Sequence, residues 1–464
     1  MYDKRATQAH PDMTPVHTET MLSVALDWRG FLARVNPRRS RIARGIAASY
    51  VNTAVGIVCN LVLVPLYLRA LGRDEYGLWM AVSGLVAYLT LLNLGMAQTI
   101  SIQFARAVAR KELPQASRVL ATGFWTYAGF AAVALTLLLA IGPWLPWDIF
   151  VKGGPGLEQQ ITIVLLAAAA GFLVELPLGV FAACLSAVGR VDVQQAVAVA
   201  QNLVRVLVAL AFLGTGGSLA GLILVLSLVN VLACGLQYAC LRHEIPGITL
   251  RPKLWTGELA RAMRRPSAHY FLLQIAAAVI FGSDTVLISS LLGTGLVAPY
   301  AIAQRAALAL GVASTISLNF APSFVETHAR GDLPGLRNRF RQALAISVAA
   351  GVLASVGFAV AGPGFIRWWV GPANFVGASA FAAITGLMLV QMVLNPCDQL
   401  LVSTGRHNEY AVAAAAEAVI TLVGGLLAAP VWGVAGIAWV RLLGRLVGAG
   451  PVMAWRTAAL LRGK

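Results

Sequence analysis

Apolar runs of about 20 residues recur along almost the whole chain, and they restrict the fold more than any other feature. A helix rises about 1.5 Å per residue, so a run of this length crosses a hydrocarbon layer about 30 Å thick. The chain is 58% hydrophobic and only 12% charged, whereas soluble domains carry about 25% charged residues. These features predict an integral membrane protein whose spans are helices.

Twelve membrane spans are predicted, and loops that are short, polar or rich in Pro and Gly separate them. In chain order, spans 1 to 12 are Ile46–Leu68, Tyr76–Gln98, Leu120–Ala140, Ile161–Val188, Val193–Leu213, Leu219–Cys240, Tyr270–Leu292, Val297–Phe320, Ala343–Ala361, Phe375–Val402, Tyr410–Ala429 and Val434–Ala454.

The sequence matches itself at a long, regular interval. Residues 95–105 read GMAQTISIQFA and residues 311–321 read GVASTISLNFA, with seven of eleven positions identical. The segment ARKELP at 109–114 returns as ARGDLP at 329–334. Two dipeptides keep the same register, namely Gly189-Arg190 with Gly405-Arg406 and Ala220-Gly221 with Ala435-Gly436. An internal repeat of about 217 residues follows from these matches.

Each repeat contains six spans, so both copies enter the membrane in the same direction. The halves are then related by a pseudo-two-fold axis along the membrane normal, and a cavity is expected between them. The predicted fold is an all-α integral membrane protein with about twelve transmembrane helices, arranged as two parallel six-helix repeats around a central cavity. The predicted bundles are residues 42–241 and 266–464, joined by a cytoplasmic linker at 242–265.

Residues 1–41 are predicted to form a cytoplasmic tail without the features of a cleaved signal peptide. Two interpretations of this tail stay open. Apolar residues at helical spacing between Leu22 and Val35, beside Arg29 and Arg34, fit a helix that lies on an anionic leaflet. A disordered tail fits equally well.

The distribution of Lys and Arg predicts the orientation. Loops after even-numbered spans hold sixteen, namely Arg106, Arg110, Lys111, Arg118, Arg190, Arg242, Arg251, Lys253, Arg261, Arg264, Arg265, Arg330, Arg337, Arg339, Arg341 and Arg406. Loops after odd-numbered spans hold four, namely Arg69, Arg73, Lys152 and Arg367. Both termini are therefore expected in the cytoplasm and the protein in the inner membrane. The net charge of +16 reflects this topology and not nucleic-acid binding.

Eight charged residues lie inside the predicted spans, where each costs roughly 2.5–3.5 kcal/mol near the bilayer centre. They are Glu175, Arg205, Asp284, Arg305, Asp398, Glu417, Arg441 and Arg445. One interpretation is that they form buried ion pairs that hold helices together, which suits four acids and four bases. The other is that arginines bind phosphate groups of a cargo and that carboxylates carry a coupling ion.

The functional interpretation selects a specific set of residues. Arg205, Arg305, Arg441 and Asn202 are the candidate substrate-binding residues, and Asp284 and Glu417 are the candidate coupling-ion residues. The sequence contains no phosphate-binding loop, zinc-hydrolase motif or Cys/His metal-ligand spacing. No cofactor and no metal are expected, and an enzymatic active site is not predicted.

Several motifs resemble those of polysaccharide-export flippases. They are Leu71-Gly72-Arg73-Asp74-Glu75-Tyr76-Gly77-Leu78-Trp79, Leu91-Leu92-Asn93-Leu94-Gly95, Gly189-Arg190, Asp284 ahead of Leu292-Gly293, and Tyr300 with Arg305. This pattern is similar to that of the O-antigen lipid flippases of the multidrug/oligosaccharidyl-lipid/polysaccharide exporter superfamily. The resemblance covers roughly residues 40 to 456, and the tail before Arg38 departs from it.

The resemblance implies a flippase that moves an undecaprenyl-pyrophosphate-linked glycan from the cytoplasmic to the outer face without hydrolysing ATP. It also implies contacts with membrane lipids and makes a polysaccharide polymerase or a glycosyltransferase a candidate partner. Two alternatives remain. A multidrug or organic-cation antiporter of the same fold needs a cavity rich in carboxylates, and a non-transporting scaffold for polysaccharide synthesis needs no polar cavity.

Overall fold

The computed structural model describes residues 37–93, 96–152, 158–310 and 320–463. Helices of nine or more residues are Pro37–Leu89, Met96–Ala109, Leu113–Ile141, Glu158–Ala187, Val191–Gly214, Leu219–Glu244, Gly257–Leu287, Val297–Leu310, Ala321–Ala329, Leu333–Val370, Ala378–Ser403, His407–Leu443 and Gly450–Leu461. Within the described residues there is no β-strand. The predicted all-α membrane fold is confirmed.

Nine helical stretches within the described residues are long and apolar enough to cross a membrane. Two of them, Arg44–Asn93 and Ala411–Leu461, contain 50 and 51 residues. A helix of that length measures about 75 Å, which is more than twice the hydrocarbon thickness. Non-helical backbone at Gly72 and Gly433 divides them into spans 1 and 2 and spans 11 and 12. Val297–Leu310 with Ala321–Ala329 completes the twelve as span 8.

The internal repeat is visible in the backbone. Gly72 and Gly293 both have positive φ, at 80° and 98°, where the chain turns between the first two spans of each half. Gly189 and Gly405, 216 residues apart, repeat this at the turn after the fourth span, with φ of 75° and 79°. Glycine adopts this backbone region without the steric cost that a Cβ imposes. The two repeats therefore share their turn geometry as well as their sequence.

Helices extend beyond several of the predicted spans. Span 9 is the helix Leu333–Val370, against a predicted Ala343–Ala361, and span 7 begins at Gly257 and not at Tyr270. Hydropathy marks only the part of a helix inside the hydrocarbon layer, whereas backbone hydrogen bonding continues through the interfaces. The first helix begins at Pro37, within the segment predicted as the tail. Residues 1–36, the rest of that tail, lie outside the described residues, as do Gly95 and residues 311–319 of the strongest repeat motif.

Spans 1–6 pack on one another, and spans 7–12 do the same. In the first half, span 1 packs on span 5 and span 4 on span 6, while in the second half span 7 packs on span 11 and span 9 on span 10. We call these halves the N-bundle and the C-bundle. The face where the first helix begins and the last one ends is called the terminal face, and the other is the opposite face.

Hydrogen bonds join the two bundles at the opposite face. Arg73, between spans 1 and 2, donates from Nε to the carbonyl of Gly295 at 2.6 Å and from Nη1 to that of Ala373 at 3.2 Å. The backbone of Lys152 bonds to Ser289 and to Thr294, each at 3.1 Å. Gly77 of span 2 packs closely on the backbone of Thr294. A Cβ at Gly77 would overlap with the Thr294 carbonyl oxygen, so a larger residue does not fit. The two bundles are closed together on this face.

Candidate functional site

A cavity of about 370 Å³ lies between the bundles on the terminal side of these contacts. Span 1 contributes Thr53, Gly56, Ile57, Asn60 and Leu61, span 8 contributes Arg305, Ala306, Leu308 and Ala309, and span 9 contributes Trp369. The Trp369 indole N–H donates to the carbonyl of Leu61 at 2.7 Å, which links the C-bundle to span 1. Both bundles thus form the walls of this cavity.

Arg305 is the charged residue of the cavity between the bundles. Its guanidinium donates to the Tyr76 hydroxyl at 2.9 Å and to the Met80 sulfur at 3.1 Å, and lies 5.8 Å from the centre of the Tyr76 ring. In the described part of the chain it forms no ion pair with a carboxylate. Arg305 therefore has no direct anionic partner among the residues that the structure describes.

An aromatic cluster at the interface supports Arg305. Tyr67 of span 1 packs edge-on against Trp79 with ring centres 4.7 Å apart, and its ring lies 6.4 Å from that of Tyr76. The Tyr67 hydroxyl interacts electrostatically with both Arg205 of span 5 and Arg305 of span 8. The predicted cations Arg205 and Arg305, which come from different bundles, are thus brought to the same tyrosine.

Asp284 and Arg441 form a buried ion pair in the C-bundle. Asp284 is 0% exposed and Arg441 4% exposed, and Arg441 Nη1 donates to Asp284 Oδ2. The same carboxylate oxygen accepts from the Tyr300 hydroxyl at 2.6 Å and from the Gln304 amide at 3.2 Å. One interpretation of the charges within the spans was that they form buried ion pairs, and Asp284 and Arg441 do so. Their roles toward cargo and coupling ion stay predictions.

Glu417 lies in a second buried network of the C-bundle. Arg445 of span 12 donates to Glu417 at 2.9 Å and to Asp398 of span 10 at 2.6 Å. Two carboxylates therefore share one guanidinium, and the cluster carries a formal charge of −1. These contacts tie Asp398 and Arg445 into the C-bundle.

The N-bundle has a counterpart of this network that is built mainly from amides. Gln201 of span 5 donates to Asn230 of span 6 at 2.7 Å, and Asn230 donates to Glu175 of span 4 at 2.7 Å. Gln201 and Asn230 lie 216 and 215 residues before Glu417 and Arg445. Amides in the N-bundle thus stand at the repeat positions where the C-bundle has an ion pair.

Asn202 joins a chain of amides between spans 1 and 5. Its Nδ2 donates to Asn52 at 3.1 Å, and Asn52 donates to Gln195 at 2.7 Å. Arg205, three residues further along span 5, interacts electrostatically with Glu175 as well as with Tyr67. Asn202, Asn52 and Gln195 therefore form a polar strip between spans 1 and 5.

A second cavity, of about 320 Å³, lies in the C-bundle among spans 7, 8, 10 and 12. Its lining includes Phe281, Gln304, Gln391 and Arg441. Leu308 of span 8 lines both this cavity and the one that contains Arg305. The two cavities thus lie next to each other, one on each side of span 8. The charged residues that line them are arginines.

Several site residues were missed by the sequence analysis. Tyr76 belongs to the motif at residues 71–79 but was not selected as a site residue, although it contacts Arg305 directly. Gln304 and Gln391 were also missed. An amide within a long apolar run is the pattern that points to them, because it needs a partner inside the membrane. Among the described residues, no group of three or more His, Cys, Asp or Glu is placed to hold a metal.

Three solved structures similar to this chain are a MATE protein and two transporters of the MOP superfamily. MATE in complex with MaD3S superposes with a TM-score of 0.66 at 14% identity, covering 93% of this chain and 98% of the other. An inward-facing multidrug resistance MATE transporter of the MOP superfamily gives 0.66 at 11% identity over 88% and 99%. A MOP superfamily transporter from Pyrococcus furiosus, described as having reversed binding-pocket polarity, gives 0.60 at 14% identity over 92% and 98%. The chain is thus a multi-pass membrane protein with the twelve-helix MATE transporter fold.

The chain belongs to the polysaccharide biosynthesis protein family, whose model matches residues 42–328. It is also 21% identical over 349 residues to the uncharacterized membrane protein EpsK of Bacillus subtilis strain 168, covering 74% of this chain and 68% of that protein. The resemblance to a polysaccharide family that the sequence motifs suggested is therefore confirmed.

Proposed function

We propose that the protein is a flippase that moves a lipid-(pyro)phosphate-linked oligosaccharide from the cytoplasmic to the outer face of the inner membrane. Family membership supports a role in polysaccharide biosynthesis, and the MATE fold supports transport. The observation that carries the choice of cargo is Arg305, a cation in the cavity between the bundles that has no carboxylate partner within the described residues. Its planar guanidinium matches the oxygens of a phosphate.

Arg205 and Asn202 are proposed to assist Arg305 in binding the cargo. Arg205 approaches Tyr67 from the N-bundle, so the pyrophosphate meets cations from both bundles. Asn202 adds an amide that can exchange its hydrogen bond to Asn52 for one to the cargo. A cargo that both bundles bind keeps them together. The two bundles then rock around the bound lipid and do not separate.

Asp284 and Glu417 are proposed to couple transport to an ion. The Asp284 carboxylate neutralises Arg441, which lines the C-bundle cavity. Binding of a proton or another cation to Asp284 weakens this ion pair and releases Arg441 toward the cargo. Glu417 has the same relation to Arg445, although there two carboxylates compete for one guanidinium. Ion binding and cargo binding are then linked through arginines that change partner.

The positive-inside distribution supports an orientation with both termini in the cytoplasm. In that orientation the cavity with Arg305 lies on the cytoplasmic side of the closed outer face, where a lipid-linked precursor is available. Arg73 must release Gly295 and Ala373 before the cargo can leave outward. The N-bundle at 42–241 and the C-bundle at 266–464 are proposed to move as the two units. Polysaccharide polymerases and glycosyltransferases are proposed partners, and no enzymatic activity is proposed.

The cavity chemistry disfavours the two alternatives. An organic-cation antiporter needs anionic groups for its cargo, but among the described residues the cavity between the bundles is lined by Arg305 and by no carboxylate. A non-transporting scaffold gains nothing from a charge between its bundles, because an unpaired arginine at this depth costs free energy. The flippase function accounts for both observations.

The test is lipid flipping by the purified chain in proteoliposomes that contain an undecaprenyl-pyrophosphate-linked glycan. Arg305→Ala is expected to reduce the flipping rate at least tenfold with an unchanged melting temperature, and Arg305→Lys is expected to restore part of it. Arg367→Ala is the matched control, since Arg367 also lies over an aromatic ring, that of Phe375, but is exposed near the opposite face. Normal flipping by a stable Arg305→Ala protein contradicts the proposed role.

A further inference from the structure

The C-bundle cavity differs in chemistry from the cavity that contains Arg305. Its wall combines an aromatic ring, two primary amides and two methionines, contributed by Phe281, Gln304, Gln391, Met388 and Met392. The remaining lining is aliphatic apart from Arg441. Ligand sites typically have such a lining, which is mostly apolar with a few polar groups that fix orientation.

The polar groups of this cavity are electrically neutral or neutralised. Arg441 is compensated by the Asp284 carboxylate, to which it donates directly. Gln304 is held by its bonds to Asp284 and to the Tyr300 hydroxyl, at 3.2 and 3.1 Å. With its one cation already paired, the cavity suits an uncharged ligand that exchanges hydrogen bonds, in contrast to the unpaired charge at Arg305.

Gln391 offers its side-chain amide to this cavity. It lies within the apolar span 10, and among the described residues its amide has no hydrogen-bond partner. A primary amide offers two donors and an acceptor, and at Gln391, which is only partly buried, these groups are open to a ligand in the cavity. A ligand with hydroxyl or acetamido groups can bond to both the donors and the acceptor of this amide.

Phe281 provides a flat surface beside these amides. Its side chain is 65% exposed although it belongs to span 7, and Arg441 lies 5.6 Å from its ring centre on one side. An aromatic ring packs against the apolar C–H face of a pyranose, while the hydroxyl groups at the rim of the sugar remain free to bond with amides. The pairing of one ring with two amides fits a sugar better than an aliphatic chain.

The position of this cavity relates it to the proposed phosphate site. Gln304 and Arg305 are consecutive on span 8 and line different cavities, and Leu308, one turn further on, lines both. A glycan whose pyrophosphate binds Arg305 therefore has its first sugar beside the C-bundle cavity. We infer that this cavity, with Gln391, Gln304 and Phe281, is a subsite for the uncharged sugar next to the pyrophosphate, an inference that rests on the proposed flippase function.

The subsite is tested by binding measurements on the purified full chain in nanodiscs. The probes are undecaprenyl pyrophosphate alone and the same lipid carrying one glucose, galactose, N-acetylglucosamine or N-acetylgalactosamine. At least one sugar-bearing probe is expected to bind about tenfold more tightly than the bare lipid, as one or two extra hydrogen bonds allow. Gln391→Leu and Phe281→Leu are expected to remove most of that advantage and to leave the affinity for the bare lipid unchanged.

Gln237→Leu is the matched control, because Gln237 is a buried glutamine of span 6 whose Oε1 has no partner among the described residues, and it lines neither cavity. Equal affinity of the wild-type protein for all five probes overturns the sugar subsite and leaves the flippase function standing. If Gln391→Leu lowers the affinity for all five probes equally, the sugar subsite is also overturned, because Gln391 then does not contribute specifically to sugar binding. Failure of the wild-type protein to bind any probe, the bare lipid included, contradicts the flippase function itself.

Discussion

Asp284 and Arg441, which are 157 residues apart in the chain, form an ion pair that is almost completely removed from solvent. Asp284 lies nine residues before the turn at Gly293, and Arg441 eight residues after the turn at Gly433. Both therefore lie about 12 Å from the opposite face, well inside the hydrocarbon layer. Each charge is tolerated at this depth because the other compensates it.

Breaking this pair is expected to destabilise the C-bundle. Arg441→Met leaves the Asp284 carboxylate without its cation, and removing one partner of a buried pair costs about 3–5 kcal/mol. The double variant Asp284→Leu/Arg441→Met is expected to recover most of that stability, measured as the melting temperature in detergent.

Flipping assays on the same variants separate structure from coupling. If the pair couples ion and cargo, the double variant is folded but flips lipid at less than a tenth of the wild-type rate. A double variant that is both stable and fully active assigns the pair to structure alone.

The network around Arg445 predicts an order of stabilities. Arg445→Ala leaves the Glu417 and Asp398 carboxylates without a cation, whereas Asp398→Asn leaves a one-to-one pair of Arg445 with Glu417. The melting temperature is therefore expected to fall much further in Arg445→Ala than in Asp398→Asn. The opposite order contradicts the interpretation that one guanidinium holds both carboxylates in place.

Arg73 is expected to hold the opposite face closed. Arg73→Ala removes the hydrogen bonds to the carbonyls of Gly295 and Ala373, which favours opening on that side. In a cysteine-free background, Asn60→Cys in the cavity is expected to react several-fold faster with an impermeant maleimide added outside when Arg73→Ala is present. Arg69→Ala is the control, because Arg69 is an exposed arginine one turn earlier. Equal labelling in both backgrounds removes Arg73 from the closure.

The orientation predicts which loops are accessible from outside. Lys152→Cys, on an exposed side chain at the opposite face, is expected to be labelled in intact cells. Arg330→Cys, at the terminal face and similarly exposed, is expected to be labelled only after the membrane is permeabilised. The reverse pattern contradicts the distribution of Lys and Arg as the determinant of topology.

The sequence by itself determined the membrane spans and the repeat. Hydrophobic partitioning acts on each segment independently, so the runs from Ile46 to Ala454 reveal the spans without knowledge of their neighbours. The matched dipeptides Gly189-Arg190 and Gly405-Arg406 likewise carry the repeat in local sequence, and their glycines have the same backbone conformation. Fold class, number of spans and family were therefore accessible from the sequence.

Only the tertiary structure decided which charges are paired. Arg305 and Arg441 look alike in the sequence, since both are single arginines in apolar spans. Packing of spans 7 and 12 gives Arg441 a carboxylate, whereas packing of spans 2 and 8 gives Arg305 a tyrosine and a methionine. The physical reason is that ion pairing requires atoms to meet within a few ångströms, and helices that are distant in the chain meet only when the bundles have packed.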